Sequence, residues 1–421
     1  MDRWDVIVIG AGAAGLVAAT HAAARGRRTL LLEKNRKAGA KILMSGGTRC
    51  NLTHATDAAG IAAAFGRRQG SFLRSALAGL DPEGVIAMFR AAGVATKLEP
   101  GGKVFPVSDS AVDVQRALLA TLAESGAELR LGVAATAVEK RGEQFVIATS
   151  AGDVECAAVI LTVGGQSYPG CGTTGDGYAW AKSLGHKIVP PRPALAPLVS
   201  PAAWVAELRG VTLPDVIVEM RPTGGAETQA SSAKKQRAER TRRGSFLFTH
   251  FGLSGPAPMN ASGIVTSSPH AGGWQAVCDF LPETPAEQLA ASLASDATSG
   301  GSRAVVTWLA ERLPRRLAEA LLDGAEIPHE RRLAELPRRE RAALVDAVKA
   351  TAIPVSGSQG FKKAEVTAGG VELGEVDSRT MQSKLVPGLY LAGEILDVDG
   401  PIGGYNFQAA FSTGRLAGES A

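Results

Sequence analysis

Hydrophobic and polar positions follow two different periods along this chain, and the change from one to the other marks its first elements. An apolar, β-branched run at residues 5–9 is followed by closely spaced glycines and an alanine-rich stretch that reaches Arg25. A second apolar run, at residues 29–32, ends at Glu33. This order predicts a strand, a helix and a strand, as in a parallel βαβ unit. Residues 156–163 are apolar throughout and precede Gly164-Gly165, which predicts a buried strand.

The pattern changes near the middle of the chain and changes back near its end. A helix is expected over residues 113–125, and strands over 128–131, 133–140 and 145–149. Prolines cluster between residues 190 and 201, and short strand candidates follow at 211–220, 244–248 and 274–280, as in a small barrel. The apolar residues between 285 and 350 recur with the period of a helix, and residues 388–393 again predict an apolar strand.

These elements predict an α/β protein whose Rossmann-type domain is interrupted by a second module. The two parts of the Rossmann-type domain are expected at residues 1–193 and 367–421. An inserted β-barrel domain is expected at 194–282, with a return through 351–366, and a small helical insert at 283–350. A length of 421 residues agrees with two or three domains.

Composition indicates the setting of the protein. The net charge of +4 does not by itself argue for a nucleic-acid partner. The four cysteines form no Cys-x-x-Cys pair, which favours a reducing compartment over a disulfide framework. We find no leader pattern and no run of the roughly 20 apolar residues that span a bilayer. We therefore expect a cytoplasmic protein with no membrane partner, and no metal, because the histidines lack ligand spacing.

A glycine-rich turn between the first strand and helix predicts a dinucleotide site. The segment from Gly10 to Gly15 spells G-x-G-x-x-G, and Glu33 lies 18 residues beyond it at the end of the second strand. The first glycine allows the tight turn, the second lets a pyrophosphate approach, and the third lets the helix pack on the strand. The helix N-terminus attracts the phosphates, and Glu33 is placed to accept from a ribose hydroxyl. A plain structural turn is the alternative.

The far end of the chain favours FAD over NAD as the dinucleotide. Residues 386–394 form an apolar strand ending in Gly-Glu, the form in which flavoproteins place an acidic residue at the ribityl chain. Residues 403–407 open an alanine-rich helix, whose N-terminus would stabilise an anionic reduced flavin. Residues 161–165 are expected to pack under the cofactor. Residues 170–175 also spell G-x-G-x-x-G, but they do not follow a strand directly, so we expect them to line the flavin pocket.

Several segments together resemble one flavoprotein family. Residues 41–53, KILMSGGTRCNLT, are similar to its hallmark K-x-L-x-S-G-x-G-R-C-N-x-T, with Thr48 where the family favours glycine. Residues 164–169 with 173–178 and 185–186, then 248–256, 380–384 and 393–408, resemble its remaining blocks. The chain is identified as similar to the BaiN/RdsA-like family of NAD(P)/FAD-dependent oxidoreductases, the HI0933-like flavoproteins.

The resemblance implies an FAD domain carrying a β-barrel and a small helical insert, with NAD(P)H as electron donor. It also implies reduction of conjugated C=C bonds, since members have been linked to 3-oxo-Δ-steroid bile-acid intermediates and to a uridine of 23S ribosomal RNA; the family has also been labelled aminoacetone oxidase. The residues expected to bind the cofactor are Gly10, Gly12, Ala13, Ala14, Gly15, Glu33, Lys34, Lys41, Ser45, Gly46, Gly47, Arg49, Cys50, Asn51, Val133, Ala134, Thr162, Gly164, Gly165, Asp176, Gly393, Glu394, Gly403, Gly404, Tyr405 and Asn406.

A basic segment at residues 233–243 bears on the substrate. Because it lies between two strand candidates, we expect an exposed loop, either a solvated hairpin tip or an arm that binds RNA phosphates. An unstacked uridine of ribosomal RNA is the favoured substrate, a small enone, steroid or amine is the alternative, and a non-catalytic flavin sensor is a third class. The expected RNA-binding residues are Lys234, Lys235, Arg237, Arg240, Arg242 and Arg243.

Reduction of a C=C bond also needs a proton donor. The candidates are Cys50, Cys171, Tyr168 and His250. Cys50 lies in the hallmark segment, although a lone cysteine is more often simply packed in a core. His250 has a structural alternative as a hydrogen-bonding residue of the 249–255 turn.

Overall fold

The computed structural model describes residues 2–223, 230–267, 273–299 and 302–421, with side chains for all of these except residues 2, 230–234 and 299. The chain divides into two units by its internal contacts. Unit 1 joins both ends of the sequence, Met1–Arg192 and Glu365–Ala421, and unit 2 is Pro193–Ala364. In the described parts of the chain, no helix is both long enough and apolar enough to cross a bilayer.

The strands in chain order are β1 Asp2–Ile9, β2 Thr29–Glu33, β3 Thr53–His54, β4 Thr96–Glu99, β5 Lys103–Pro106, β6 Glu128–Leu131, β7 Ala135–Arg141, β8 Gln144–Thr149, β9 Val154–Leu161, β10 Ile188–Ala194, β11 Leu198–Val199, β12 Thr212–Pro222, β13 Thr241–Thr249, β14 Gly252–Ser254, β15 Trp274–Asp279, β16 Thr351–Val355, β17 Gly357–Ser358, β18 Val366–Val371 and β19 Leu389–Leu391.

The helices are α1 Ala13–Ala24, α2 Ala40–Met44, α3 Ala58–Ala64, α4 Gly66–Gly79, α5 Pro82–Ala91, α6 Ala111–Glu124, α7 Asp176–Ser183, α8 Ala203–Glu207, α9 Ala230–Arg240, α10 Pro256–Ser267, α11 Ala286–Ser299, α12 Val305–Ala310, α13 Arg315–Gly324, α14 Arg338–Ala350 and α15 Tyr405–Ser420. Single turns of 3-10 helix occur at Pro169–Cys171, Leu333–Glu335, Leu373–Glu375 and Gly393–Ile395.

Unit 1 is an α/β Rossmann-type fold built on a mostly parallel sheet. Its strand order is β6-β2-β1-β9-β8-β7, and β19 pairs with β9. The β6-β2-β1-β9 ladders and the β19–β9 ladder are parallel, whereas β8 and β7 add antiparallel strands at one edge. The central strands are buried on both faces, which explains their unbroken apolar sequence. The carboxyl ends of β1, β2, β9 and β19 therefore meet at one edge, where α/β proteins bind ligands.

Two helices from opposite ends of the chain pack closely beside this edge. A Cβ placed on Gly414 would lie 2.4 Å from the carbonyl oxygen of Ala14, and one on Gly418 would lie 2.2 Å from that of Ala18. Only glycine allows this approach, so α15 lies directly against α1. Tertiary packing in this way brings the C-terminal segment to the N-terminal glycine turn. A small antiparallel sheet, β3-β5-β4, and the β10–β18 pair are the other sheets of the unit.

Unit 2 contains an antiparallel sheet and a group of helices that share one hydrophobic core. The strand order is β16-β15-β12-β13-β14-β11-β17. The two edge strands, β16 and β17, follow one another along the chain with only Ser356 between them. No ladder joins these two strands in the described residues, so the expected barrel stays a prediction. Helices α11–α14 occupy much of the stretch predicted as a helical insert.

The expectation of a loop at residues 233–243 is wrong. Helix α9 ends at Arg240, and strand β13 begins at Thr241, so the basic residues lie on a helix followed directly by a strand. The reason is visible in the composition, because alanine, lysine, glutamine, arginine and glutamate all favour helix and neither glycine nor proline interrupts residues 230–243. Lys234 belongs to α9, and its side chain lies outside the described residues.

Candidate cofactor and active site

The glycine turn after β1 is held by backbone packing at its first and third glycines. Gly10 has φ +101°, and a Cβ there would lie 2.8 Å from the carbonyl oxygen of Thr162. A Cβ on Gly15 would lie 1.9 Å from the carbonyl oxygen of Gly10. The Thr162 hydroxyl donates to the carbonyl oxygens of Ile9 and Gly10 at 3.0 and 2.9 Å, which joins the turn to the end of β9. These glycines are therefore explained by the protein alone.

Gly12, the second glycine of the turn, has no such explanation in the part of the chain that the structure describes. Its φ of −82° and ψ of −168° are extended values that any residue adopts, and a Cβ there would meet nothing within 4 Å. Gly12 is the N-cap of α1, and no side chain caps the helix. The first amide groups of the helix, including those of Ala13 and Ala14, thus begin beside an open space. Such a space at a helix N-terminus suits an anion.

Glu33 lies at the end of β2, beside the same turn, and is 8% exposed. Its Oε2 accepts from the Ala11 amide and its Oε1 accepts from the Asn35 amide, each at 2.8 Å. The Val133 amide donates to the Glu33 carbonyl oxygen at 3.0 Å, so Val133 and its neighbour Ala134 border this position. Each carboxylate oxygen keeps lone-pair capacity for a ribose hydroxyl. Glu33 consequently shapes the turn and can also bind a ligand.

A charged network lies at the ends of β9 and β19. The Lys41 ammonium donates to Glu394 Oε2 at 2.7 Å and to the Ser167 hydroxyl at 2.6 Å. The Ser167 hydroxyl donates to Glu394 Oε1 at 2.7 Å, and that oxygen also accepts from the Thr367 amide at 2.8 Å. A Cβ on Gly165 would lie 2.4 Å from the Thr367 hydroxyl oxygen, which explains that glycine. The structure thus brings Lys41 and Glu394 together from opposite ends of the chain.

The N-terminus of α15 carries two glycines and an aromatic pair that contact β3. Gly404, the N-cap, has φ +92°, and a Cβ there would lie 2.4 Å from the Thr53 carbonyl oxygen. The His54 and Tyr405 rings stack at 4.7 Å with 22° between their planes, and His54 Nδ1 lies 3.2 Å from the Gly403 carbonyl oxygen. His54 is one of the histidines whose spacing predicts no metal site, and the sequence assigned it no other role. No local sequence pattern could indicate that His54 stacks on Tyr405, because the two residues lie far apart in the chain.

The hallmark loop after α2 has an unusual backbone. Gly46, Gly47, Thr48 and Cys50 all have positive φ, between +55° and +69°. Thr48, at +69°, occupies the left-handed region that favours glycine, in agreement with the glycine preferred there in the family pattern. The Asn51 Oδ1 is buried and has no hydrogen-bond partner among the described residues. An unsatisfied buried acceptor in a strained loop is typical of a binding site.

Other predicted cofactor residues have partners within the protein. Arg49 pairs with Glu99 at 2.7 Å and with Asp109 at 3.3 Å, and its guanidinium lies over the Phe105 ring. Lys34 and Asp176 form an ion pair at 2.5 Å. The Ser45 hydroxyl donates to the Ile42 carbonyl oxygen at 2.8 Å.

The remaining predicted positions differ in what constrains them. A Cβ on Gly164 would lie 3.1 Å from the Thr173 side chain, and a Cβ on Gly393, which has φ +76°, would lie 2.9 Å from the Ala14 side chain. The Asn406 side chain binds the backbone of Gly400.

The second glycine motif borders the loop after β2. The Asn35 side chain donates to the Cys171 carbonyl oxygen at 3.0 Å, and Lys34 donates to the Thr174 hydroxyl at 2.8 Å. Burial by itself would raise the pKa of Asp176, but hydrogen bonds from Lys34 and Thr174 hold that pKa below its usual value. These contacts place residues 171–176 against the end of β2.

The four proton-donor candidates have different surroundings. Cys50 is fully buried, and burial raises the pKa of its thiol to about 12, so the structure favours a packing role over proton donation. Burial also raises the pKa of Cys171, whose sulfur contacts that of Met44. Tyr168 lies in unit 1, and its φ of +56° falls in the left-handed region, which is strained for a residue other than glycine. His250 lies in unit 2, edge-on to the Phe251 ring at 4.9 Å.

Comparison with known proteins identifies the family. The model of the HI0933-like protein Rossmann domain matches residues 4–420. The chain belongs to the HI0933-like family. It is 33% identical to the "Ribosomal RNA dihydrouridine synthase" of Escherichia coli, over 98% of this chain and 96% of that protein. It is also 33% identical to the "3-dehydro-bile acid delta(4,6)-reductase" of Clostridium scindens, over 98% of each. Both relatives are named as enzymes, and this HI0933-like chain is an enzyme of the same family.

Solved structures agree on the fold at lower sequence similarity. The Sdh1 complex of Mycobacterium smegmatis in the apo form aligns with 99% of this chain and 68% of its own, at 18% identity and a TM-score of 0.51. At this identity the likeness concerns the fold alone. It supports the α/β Rossmann-type architecture of the HI0933-like chain.

Proposed function

We propose that this chain is an FAD-dependent reductase of C=C bonds conjugated to a carbonyl group, with NAD(P)H as electron donor. The observation that carries the cofactor assignment is the open space at Gly12. No contact within the described residues requires glycine there, yet the helix N-terminus behind it suits a pyrophosphate. The reaction type is taken from the two relatives, whose names describe formation of dihydrouridine and reduction of a bile-acid double bond.

In this proposal, residues of unit 1 would hold each part of FAD. The amide groups of α1 and the Gly12 surface would hold the pyrophosphate, and the Glu33 carboxylate would accept from the adenosine ribose. Glu394 would meet the ribityl chain, and its charge is already balanced by Lys41. The N-terminus of α15 would carry partial positive charge toward the flavin. When bound, FAD supplies hydride chemistry that no side chain can perform.

The substrate we favour is a uridine of ribosomal RNA. Two of the curated relatives, from Escherichia coli and Haemophilus influenzae, carry the name ribosomal RNA dihydrouridine synthase, and their alignments cover nearly all of this chain. The bile-acid reductase of the same family, with equal identity to the first, favours a small enone as the alternative. Uridine and an enone share the feature that matters chemically, a C=C bond polarised by a carbonyl group.

The basic segment gives the RNA proposal less support than its sequence suggests. Arg243 pairs with Asp215 at 2.6 Å and also with Glu283, and Arg237 pairs with Glu219 at 3.2 Å. The Arg242 guanidinium binds the backbone carbonyls of Glu239 and Thr241. A side chain whose charge is already neutralised by a carboxylate of the protein displaces fewer counterions from the RNA phosphates and so contributes less to RNA affinity.

Two basic side chains of α9 stand apart from these carboxylates. Lys235 is exposed, and the Arg240 guanidinium lies 5.9 Å from the centre of the Trp274 ring. We therefore expect Lys235 and Arg240 to make the larger contribution to any phosphate contact.

Direct reduction of a candidate substrate tests the proposal. Protein reconstituted with FAD and reduced anaerobically by NADH or NADPH is mixed with a uridine-containing rRNA hairpin or with 2-cyclohexen-1-one. Mass spectrometry should detect the gain of two hydrogens in one of them. Reduction of the hairpin supports the RNA substrate, and reduction of the enone alone favours the alternative. Failure to bind FAD, or reduction of neither compound, would refute the proposal.

The contribution of α9 is tested by salt dependence. The double variant Lys235→Ser, Arg240→Ser should flatten the log–log salt slope of hairpin binding by about 0.7–0.9 per lost phosphate contact. Arg243→Ser is the matched control on the same segment, and its slope should stay close to that of the wild type. Equal slopes for all three proteins would remove the segment from the RNA proposal without affecting the flavin assignment.

A further inference from the structure

The loop between β19 and α15 carries three carboxylates, and two of them are neutralised by cations. Glu394 binds Lys41, and Asp397 accepts from Arg68 Nη1 at 3.1 Å. The third, Asp399, has no ion pair within the described residues. Its position five residues before Gly404 places it beside the N-terminus of α15.

Asp399 is held from one side by an amide. The Gln69 side chain donates to Asp399 Oδ1 at 2.9 Å, and the Asp399 backbone amide is 3.3 Å from Gln69 Oε1. Among the described residues, no donor contacts Asp399 Oδ2. Gln69 therefore fixes the carboxyl group and leaves one of its oxygens available.

Hydrogen bonds and close packing tie the loop around Asp399 to α15. Asn406 Oδ1 accepts from the Gly400 amide at 2.8 Å, and Asn406 Nδ2 donates to the Gly400 carbonyl oxygen at 2.9 Å. A Cβ on Gly400 would lie 3.1 Å from the Tyr405 Cβ and 2.7 Å from the Phe65 ring. Asp399 thus directly precedes the residue that anchors the loop beside Tyr405, which stacks on His54.

A second polar group near these carboxylates lacks a partner. Tyr178 on α7 is 7% exposed, and its hydroxyl is buried with no hydrogen bond in the described residues. Burial raises the pKa of Tyr178, and the charges of Glu394 and Asp397 raise it further. A buried, unsatisfied hydroxyl within reach of these charges indicates that the region is built to receive a polar ligand.

We propose that Asp399 is the proton donor of the reductase, with Gln69 as its positioning residue; this inference rests on the proposed function. In the reaction, the substrate C=C bond takes a hydride at one carbon, and a reduced flavin is the class of reductant that supplies it. The carbon next to the carbonyl group forms its new C–H bond with the proton of the Asp399 carboxylic acid. Asp399 becomes a carboxylate and regains a proton from water.

The charges around Asp399 agree with this role. The pKa of Asp399 is raised to about 6, and burial is the largest cause. The charges of Asp397 and Glu394 also raise this pKa, whereas a hydrogen bond from Gln69 and the charge of Arg192 on β10 lower it. A carboxyl group with this pKa is partly protonated near neutral pH, as a general acid requires. Asp397 also faces Arg68 of α4, which weakens its effect on Asp399.

The test compares three variants of the FAD-loaded protein. Asp399→Asn keeps an acceptor for Gln69 but has no acidic proton, Asp399→Glu restores an acid, and Asp153→Asn is an exposed control distant in sequence. Protein reduced anaerobically with dithionite is mixed with the hairpin or with 2-cyclohexen-1-one, whichever the wild type reduces, and separately with ferricyanide, which needs no carbon protonation. Infrared spectroscopy follows the carboxyl C=O band against pH without substrate.

We expect Asp399→Asn to slow C=C reduction by about 10²–10⁴-fold and to leave ferricyanide reduction unchanged. The wild-type rate should fall as the pH rises through about 6, and a carboxyl band should disappear over the same interval. Asp399→Asn should lose both effects, Asp399→Glu should recover part of the rate, and Asp153→Asn should match the wild type. An Asp399→Asn variant with the wild-type rate and band would overturn this inference alone. A wild type that reduces neither carbon acceptor would overturn the proposed function and this inference with it.

Discussion

Replacement of Gly12 by alanine separates the demands of a ligand from those of the fold. In the protein alone, the added methyl group meets nothing within 4 Å, and the backbone of Gly12 is already extended. Alanine caps a helix less well than glycine, but it also restricts the unfolded chain. These effects oppose each other, so we expect the free energy of unfolding of FAD-free protein to change by no more than about 0.5 kcal/mol. The melting temperature should then move by about 2 °C or less.

FAD binding should respond very differently, because the methyl group occupies the surface that the pyrophosphate approaches. We expect Gly12→Ala to weaken FAD by at least tenfold, which is about 1.4 kcal/mol, and Gly12→Val to abolish its retention. Gly15→Ala is the matched control on the same turn. Its Cβ would lie 1.9 Å from the Gly10 carbonyl oxygen, so it should cost about 3 kcal/mol or more in folding stability, at or beyond the upper range for overpacking.

Two measurements on the same preparations decide the outcome. Quenching of flavin fluorescence gives the FAD Kd of deflavinated protein, and circular dichroism gives its melting temperature. Wild-type FAD affinity in Gly12→Ala would show that no pyrophosphate lies against Gly12 and would refute the cofactor placement. A melting temperature lowered as much as in Gly15→Ala would instead show that the space at Gly12 is required by the fold.

Three further predictions concern the same unit. Thr48→Gly should stabilise the protein by about 0.5–1 kcal/mol, since relief of a β-branched residue at φ +69° exceeds the added entropy of the unfolded chain; the urea midpoint measures this. Glu33→Ala should lower both FAD affinity and the unfolding free energy, each by about 1–3 kcal/mol, because its carboxylate also binds two backbone amides. Hydrogen bonds from Lys34 and Thr174 lower the pKa of Asp176. The Lys34–Asp176 ion pair should therefore add less than about 1 kcal/mol to the free energy of unfolding, because the pair is exposed. This stabilisation should be present above about pH 4 and lost as the pH falls through the lowered pKa. Asp176→Asn should therefore be less stable than wild type at pH 7 and equal to it in acid; a constant difference would contradict the assignment.

Local sequence determined the first half of the candidate cofactor site. The β-branched run, the three glycines and Glu33 lie within 33 residues, and each signal depends on backbone geometry that neighbouring residues dictate. The glycine turn and the place of Glu33 at the end of β2 follow from that short segment, whereas packing against Thr162 and Val133 completes the site. For the same reason, the period of the hydrophobic residues alone predicted the helix of residues 113–125 and the strands that follow it. The bounds of these elements in the structure agree with the predicted bounds to within a few residues.

The second half of the site was decided by tertiary structure. Lys41 meets Glu394 across 353 positions, and Gln69 meets Asp399 across 330, at distances set by how α2, α4 and the last loop pack on the sheet. No local pattern carries such a pairing, so Asp399 had no signal among the 41 acidic residues of the chain.

Burial and ion pairing were decided in the same way. Cys50 lies in the hallmark segment and was a candidate proton donor, but its thiol lies in the core, where desolvation opposes ionisation. The basic segment has the composition of a phosphate-binding arm, but Asp215 and Glu283 on other elements pair with Arg243. Sequence determines which groups are present and the local backbone that carries them. Their pKa values, partners and access to a ligand depend on desolvation and Coulomb interactions with residues that are distant in the chain, and only the folded structure brings these together.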